Sequence, residues 1–92
     1  MSEINEVMEA LKSLESGLAG YMGYDSMVGG LVSRSIKTLA EVRQILGNPT
    51  KKNIQEALKK VKGCKDSLSP YAGYAPDLVR KADLVIGKLR TL

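Results

Sequence analysis

The sequence predicts an all-α fold, an up-down-up-down four-helix bundle made of two tandem helical hairpins. Three features carry that expectation. Apolar residues recur at i, i+3, i+4, i+7 spacing in four stretches, Gly-, Asn- and Pro-bearing breaks separate the stretches, and the first hairpin reappears fifty residues on.

The first helix places Ile4, Val7, Met8, Leu11, Leu14 and Leu18 on one face, with Ser2 as candidate N-cap. In the second the face is Val28, Leu31, Val32, Ile36, Leu39, Val42 and Leu46, opened by Asp25 or Ser26. A third runs through Ile54, Ala57, Leu58, Val61, Cys64 and Leu68, opened by Asn48 or Thr50 around Pro49. The fourth carries Leu78, Val79, Ala82, Val85, Ile86 and Leu89, beginning near Pro76-Asp77. No stretch alternates with period two long enough for a strand. Breaks fall at 20–25, 47–49 and 69–76, and each holds a residue that ends helices for steric reasons.

Shifting the chain by fifty residues lays Ile4–Tyr24 on Ile54–Tyr74 without a gap. Identities fall at Ile4/Ile54, Glu6/Glu56, Lys12/Lys62, Leu18/Leu68, Tyr21/Tyr71, Gly23/Gly73 and Tyr24/Tyr74. Apolar residues stay in register beyond them, from Val28/Leu78 to Val42/Leu92. We read a duplicated hairpin, repeat 1 over 1–46 and repeat 2 over 50–92, within one 92-residue helical domain. The short link at 47–49 makes the second and third helices antiparallel neighbours. Both interhelical turns of the hairpins then share one end of the bundle.

Composition narrows the function. With 43% hydrophobic and 26% charged residues the chain is globular rather than disordered. The N-terminus carries acid where a secretory leader carries base, and no apolar run reaches the ~20 residues of a membrane span. Asn48-Pro49-Thr50 is spoiled as a glycosylation acceptor by its proline. A cytoplasmic protein without membrane contact is the expectation, and the single cysteine, Cys64, suits a reducing compartment.

Catalytic signatures are missing. The chain has no histidine, the commonest general base and metal ligand. One thiol cannot build a zinc site, and neither standard phosphate-cradling glycine loop is present. Gly29-Gly30 is read as a place where small residues let helices approach. Cys64 lies on an apolar face in register with Leu14, so it is read as a small buried hydrophobe. Glu3, Glu6 and Glu9 form a solvated acidic face. The expectation is a protein that is not an enzyme and needs no cofactor or metal.

Two features remain as binding candidates. All four aromatic residues, Tyr21, Tyr24, Tyr71 and Tyr74, occupy two Y-x-G-Y motifs in the hairpin turns at one end. Tyrosine gives a large amphipathic contact and recurs in interface hot spots, which makes this end the candidate protein-binding site. The competing structural role is closure of each hairpin, with glycine supplying an unusual backbone angle and the rings capping the core. The second feature is a lysine face. Lys51, Lys52, Lys59, Lys62 and Lys65 fall within an arc of about 140° on the third helix, next to its apolar face. Only Glu56 and Asp66 offset them locally, and the acidic first helix is expected diagonally across the bundle. Phosphate backbone of a nucleic acid is the ligand such a face suits.

The net charge of +4 is polarised, because residues 1–25 hold five acids and one base while each later quarter is basic. An acidic helix weakens the case for a dedicated nucleic-acid coat protein. The first reading is therefore a non-catalytic helical interaction module, an accessory subunit docking on a larger partner protein in nucleic-acid-handling machinery. Its rival is a sequence-nonspecific nucleic-acid-binding protein using the lysine face. Homodimer formation stays open, since acidic and basic sides can meet between copies.

Overall fold

Apolar residues three and four apart give each helix one face that must leave water. The computed structural model pairs those faces in four helices, α1 (Glu3–Ala19), α2 (Ser26–Ile45), α3 (Lys51–Leu68) and α4 (Pro76–Arg90), with a 3-10 turn (Ser69–Tyr71) after α3. It describes residues 3–21 and 29–92 in full, and the helical backbone of 26–28. Ser2, Gly23, Tyr24, Asp25 and the Val28 side chain, all named above, lie outside the described residues. No strand occurs among the described residues.

Local chemistry sets the helix ends. Of the two candidate caps for α3, Thr50 takes the role: it is extended, and its hydroxyl oxygen accepts the Asn53 backbone N–H at 3.2 Å. Asn48 contributes its carbonyl instead, accepting from the Asn53 side-chain amide at 2.7 Å. The same amide reaches the Ile45 carbonyl at 3.4 Å, so Asn53 ties the link to the end of α2 and the start of α3. Pro76 opens α4 at a first-turn position where the missing N–H costs nothing.

Each helix packs on its two chain neighbours, and α1 closes the ring against α4. α1 and α3 therefore face each other across the diagonal, as do α2 and α4. The bundle measures 37 × 20 × 19 Å. A single apolar cluster runs along its axis, with Val7, Leu11, Leu14 and Leu18 of α1 meeting Val32, Leu39, Val42, Val61, Val85 and Leu89. Each fully buried Leu or Val contributes about 1.5–3 kcal/mol relative to an exposed one.

Burial follows the fifty-residue register closely. Val7/Ala57, Leu11/Val61, Leu14/Cys64, Leu18/Leu68, Val32/Ala82, Ser35/Val85 and Leu39/Leu89 are all buried on both sides. Ile4/Ile54 and Met8/Leu58 are half-buried on both sides. Burial differs at Ile36/Ile86, half-buried against buried, and most at the last pair, where Val42 is inaccessible and Leu92 is 37% exposed.

Of the Gly29-Gly30 pair, only Gly30 can be tested for close helix approach. Gly30 is exposed, and a Cβ built on it meets nothing within 4 Å, so Gly30 does not mediate packing. Gly17 does. Its Cβ position lies 3.0 Å from a Leu78 methyl and 3.3 Å from the Lys81 ammonium, which puts α1 hard against α4.

Leu14→Ala should destabilise the protein by about 2–5 kcal/mol through lost burial and the cavity left behind. Leu84, 54% exposed on α4, should change stability by under about 0.5 kcal/mol when cut to alanine. Chemical denaturation of the two variants checks both; equal losses would contradict the packing described.

Candidate functional site

The tyrosine end is built from the tops of both hairpins. Tyr21 follows α1 directly, its N–H donating to the Leu18 carbonyl at 2.9 Å. Tyr71 ends the 3-10 turn, and its carbonyl accepts the N–H groups of Tyr74 and Ala75 at 2.9 and 2.8 Å. The turn is thus a run of tight helical loops. No glycine among the described residues has positive φ, so Gly73 does not supply the unusual backbone angle expected of its motif.

Tyr21, Tyr71 and Tyr74 come together there over Leu31, Val32, Leu68, Ala75 and Leu78, leaving a void of only about 10 Å³. The Tyr21 and Tyr74 ring centroids are 6.3 Å apart with planes inclined at 54°, a favourable tilted arrangement. The Tyr21 hydroxyl donates to Asp77 Oδ1 at 3.3 Å, linking the top of α1 to the first turn of α4. Tyr21 and Tyr71 are half-buried lids on the core, whereas Tyr74 is 57% exposed. Capping and surface display are divided between residues of the same motif.

The lysine face separates likewise. Lys51, Lys52, Lys59 and Lys62 are exposed and form no ion pair among the described residues. Lys65, expected with them, is instead half-buried and bridged to Asp83 of α4. Local sequence offers Lys65 only Asp66 and Glu56; the partner that takes it comes from the neighbouring helix. On the other flank Lys60 meets Glu41 of α2 at 3.5 Å. The acids of α1 stay away from α3. Glu15 takes Arg43 of α2, with Nη2–Oε1 3.0 Å and Nε–Oε2 2.8 Å, while Glu6 lies 4.0 Å from Lys88.

Cys64 is buried in the α2–α3 interface, 6% exposed, where a groove lined by Arg34, Ser35, Thr38, Lys60 and Ser67 opens toward it. Burial pushes its thiol up, outweighing the opposite pull of the Thr38 and Ser35 hydroxyls and of the Lys60 charge. Ser35 is a buried polar side chain that sequence reading passed over, because it interrupts an apolar face by a single residue. No group of three or more His, Cys, Asp or Glu among the described residues is placed to hold a metal ion. No described helix is long and apolar enough to cross a membrane.

No protein-family model, curated protein or solved structure matches the chain.

The Cys64 thiol should resist modification in the native state at pH 8, because the thiolate is the reactive form and burial disfavours it. Its pH linkage follows the same direction. A folded value above the unfolded one, which is about 8.5, means the contribution is complete below that pH and is lost as pH rises through the folded value. The stability difference between wild type and Cys64→Val should be flat to about pH 8 and fall above about pH 9. Paired denaturation series check this; a difference that grows with pH would refute it.

Proposed function

We propose that the protein is a non-catalytic helical interaction module, an accessory subunit that docks on a larger partner protein through its tyrosine end. The observation that carries this reading is Tyr74, a ring more than half exposed beside Tyr21 and Tyr71 over an apolar floor. Exposed aromatic rings on ordered supports lose little conformational entropy on binding, which is why they recur as interface anchors. The polarised charge fits an adaptor better than a coat protein, since α1 carries four glutamates against Lys12 alone.

The test separates display from capping. Tyr74→Ala should lower folding stability by no more than about 1.5 kcal/mol, the scale of its ring contact with Tyr21, while weakening partner binding by about 2 kcal/mol or more. Tyr21→Ala and Tyr71→Ala should lower stability by more than Tyr74→Ala does. Thermal melts run beside partner retention from native extract decide it. If Tyr74→Ala keeps both its stability and its partner, the tyrosine end is not the docking surface.

A second reading is favoured by the four unpaired lysines of α3. Direct, sequence-nonspecific binding of nucleic acid would use Lys51, Lys52, Lys59 and Lys62 against phosphates, with Lys65 withdrawn by Asp83. Four contacts predict a log–log salt slope of about −3 to −4 on duplex DNA. Lys59→Glu with Lys62→Glu should abolish that binding, and undetectable affinity of the wild type at low salt would retire this reading.

A further inference from the structure

The α3–α4 side of the second hairpin carries a groove of about 540 Å³ at the end opposite the tyrosines. Ile54 and Leu58, one turn apart on α3, form an apolar floor with Pro49 and Leu92. Ile54 and Leu58 are half-buried and Leu92 is 37% exposed, so the floor faces solvent. Lys51 and Arg90 stand on its rim, one from each helix, both exposed. Further along, Lys59 and Lys62 extend the basic edge, and the Lys65–Asp83 bridge spans the two helices beyond them. From Lys51 to Lys62 the open length is about 17 Å, roughly three helical turns.

The corresponding cleft of the first hairpin, between α1 and α2, has nearly the same volume, about 530 Å³, but different chemistry. Val42, in register with Leu92, is wholly buried, and Ala40 stands where the second hairpin has Arg90. Two cations line it, exposed Lys12 of α1 and Arg43 of α2, and Arg43 is already held by Glu15. Exposed cations on the rims of both helices, with Leu92 open on the floor between them, belong to the second hairpin.

We infer that the α3–α4 groove docks an acidic amphipathic helix of a partner protein. Half-buried side chains one turn apart match anchors at i, i+3, i+4 and i+7 of an incoming helix. The cations on both rims select acidic residues flanking those anchors and exclude basic ones. The α1 helix of a second copy is acidic but does not qualify, because its apolar face is spent on its own core. This inference rests on the interaction-module reading and adds a second contact, distant from the tyrosines, with a defined chemistry.

The probe is a capped, fluorescein-labelled 14-residue peptide with leucines on one face and glutamates on both flanks, and a control in which every glutamate is lysine. Anisotropy at low salt should show saturable binding of the acidic peptide and none of the control. Leu92→Glu, and separately the pair Lys51→Glu with Arg90→Glu, should each weaken binding about tenfold or more. All three positions are exposed, and circular dichroism melts verify that the variants stay folded. Amide shift changes in the wild type should cluster at residues 49–62 and 86–92. No saturable binding by the acidic peptide, equal binding of the control, or unchanged affinity in the variants overturns the proposal. Sodium laurate is titrated in parallel; laurate binding without peptide binding would make the groove a site for an anionic amphiphile and overturn the helix as occupant. Shift changes confined to the tyrosine end would sink the groove but leave the module reading standing, whereas that reading itself falls on the partner-retention experiment.

Discussion

Shape-matched burial of small aliphatic side chains along the bundle axis is the constraint on which the other features depend. The chain has no Phe or Trp, so its core is closed by leucine, valine and alanine. Such residues bury modest area each, and four helices must contribute together before the sum exceeds the entropy of ordering them. Helices in proteins draw most of their stability from such packing rather than from intrinsic propensity. The axial cluster therefore fixes the four helices relative to one another, and with them the ring order that sets α1 opposite α3. Everything about the surface follows from that order: which lysines meet acids, which tyrosines are covered, and which groove stays open.

Electrostatics is arranged on top of this packing rather than driving it. Three of the ion pairs are partly exposed and individually worth at most about 1 kcal/mol, while the two-point Glu15–Arg43 pair is more buried. Their placement still matters. Glu15–Arg43, Lys60–Glu41, Lys65–Asp83 and Glu6–Lys88 each join two adjacent helices, one pair for every side of the square. The exposed lysines on the outer face of α3 are among the charges they leave unmatched. The diagonal position of α1 keeps its carboxylates on the far side of a low-dielectric core, and exposed charges that far apart are screened by salt.

Much of the architecture is legible in sequence because helix periodicity and helix-breaking residues act locally. The i, i+3, i+4 spacing of Val7, Leu11, Leu14 and Leu18 states a face directly, and Pro49 or Pro76 states a boundary without help from the rest of the chain. Features that depend on a neighbouring helix are not legible in this way. Lys65 differs from Lys62 only in that α4 brings Asp83 to it. Tyr71 and Tyr74 share one motif, yet a few residues of tight turn put the first over the core and the second outside it. Gly17 and Gly30 look alike as glycines, and only the approach of Leu78 distinguishes them. The apolar run of α3 reads as uniformly internal, but Ile54 and Leu58 sit at its edge and are only half-buried.

The polar spot formed by Ser35, Thr38 and Cys64 at the α2–α3 interface has no counterpart at the α4–α1 interface, where the registered positions are Val85, Lys88 and Leu14. Two hairpins so alike in pattern are, in principle, interchangeable building blocks. A pair of second hairpins could associate with each other, as could a pair of first ones, giving mispaired assemblies from the same chain. A like pair of first hairpins would press Ser35 against Leu14, leaving a buried hydroxyl beside an aliphatic surface; a like pair of second hairpins would set Cys64 against Val85. The observed pairing instead sets Ser35 and Thr38 beside Cys64 on one side and keeps Val85 and Leu14 in the apolar cluster on the other. The asymmetry confines the hydroxyl–thiol contacts to the α2–α3 interface, a pairing that neither like assembly would reproduce.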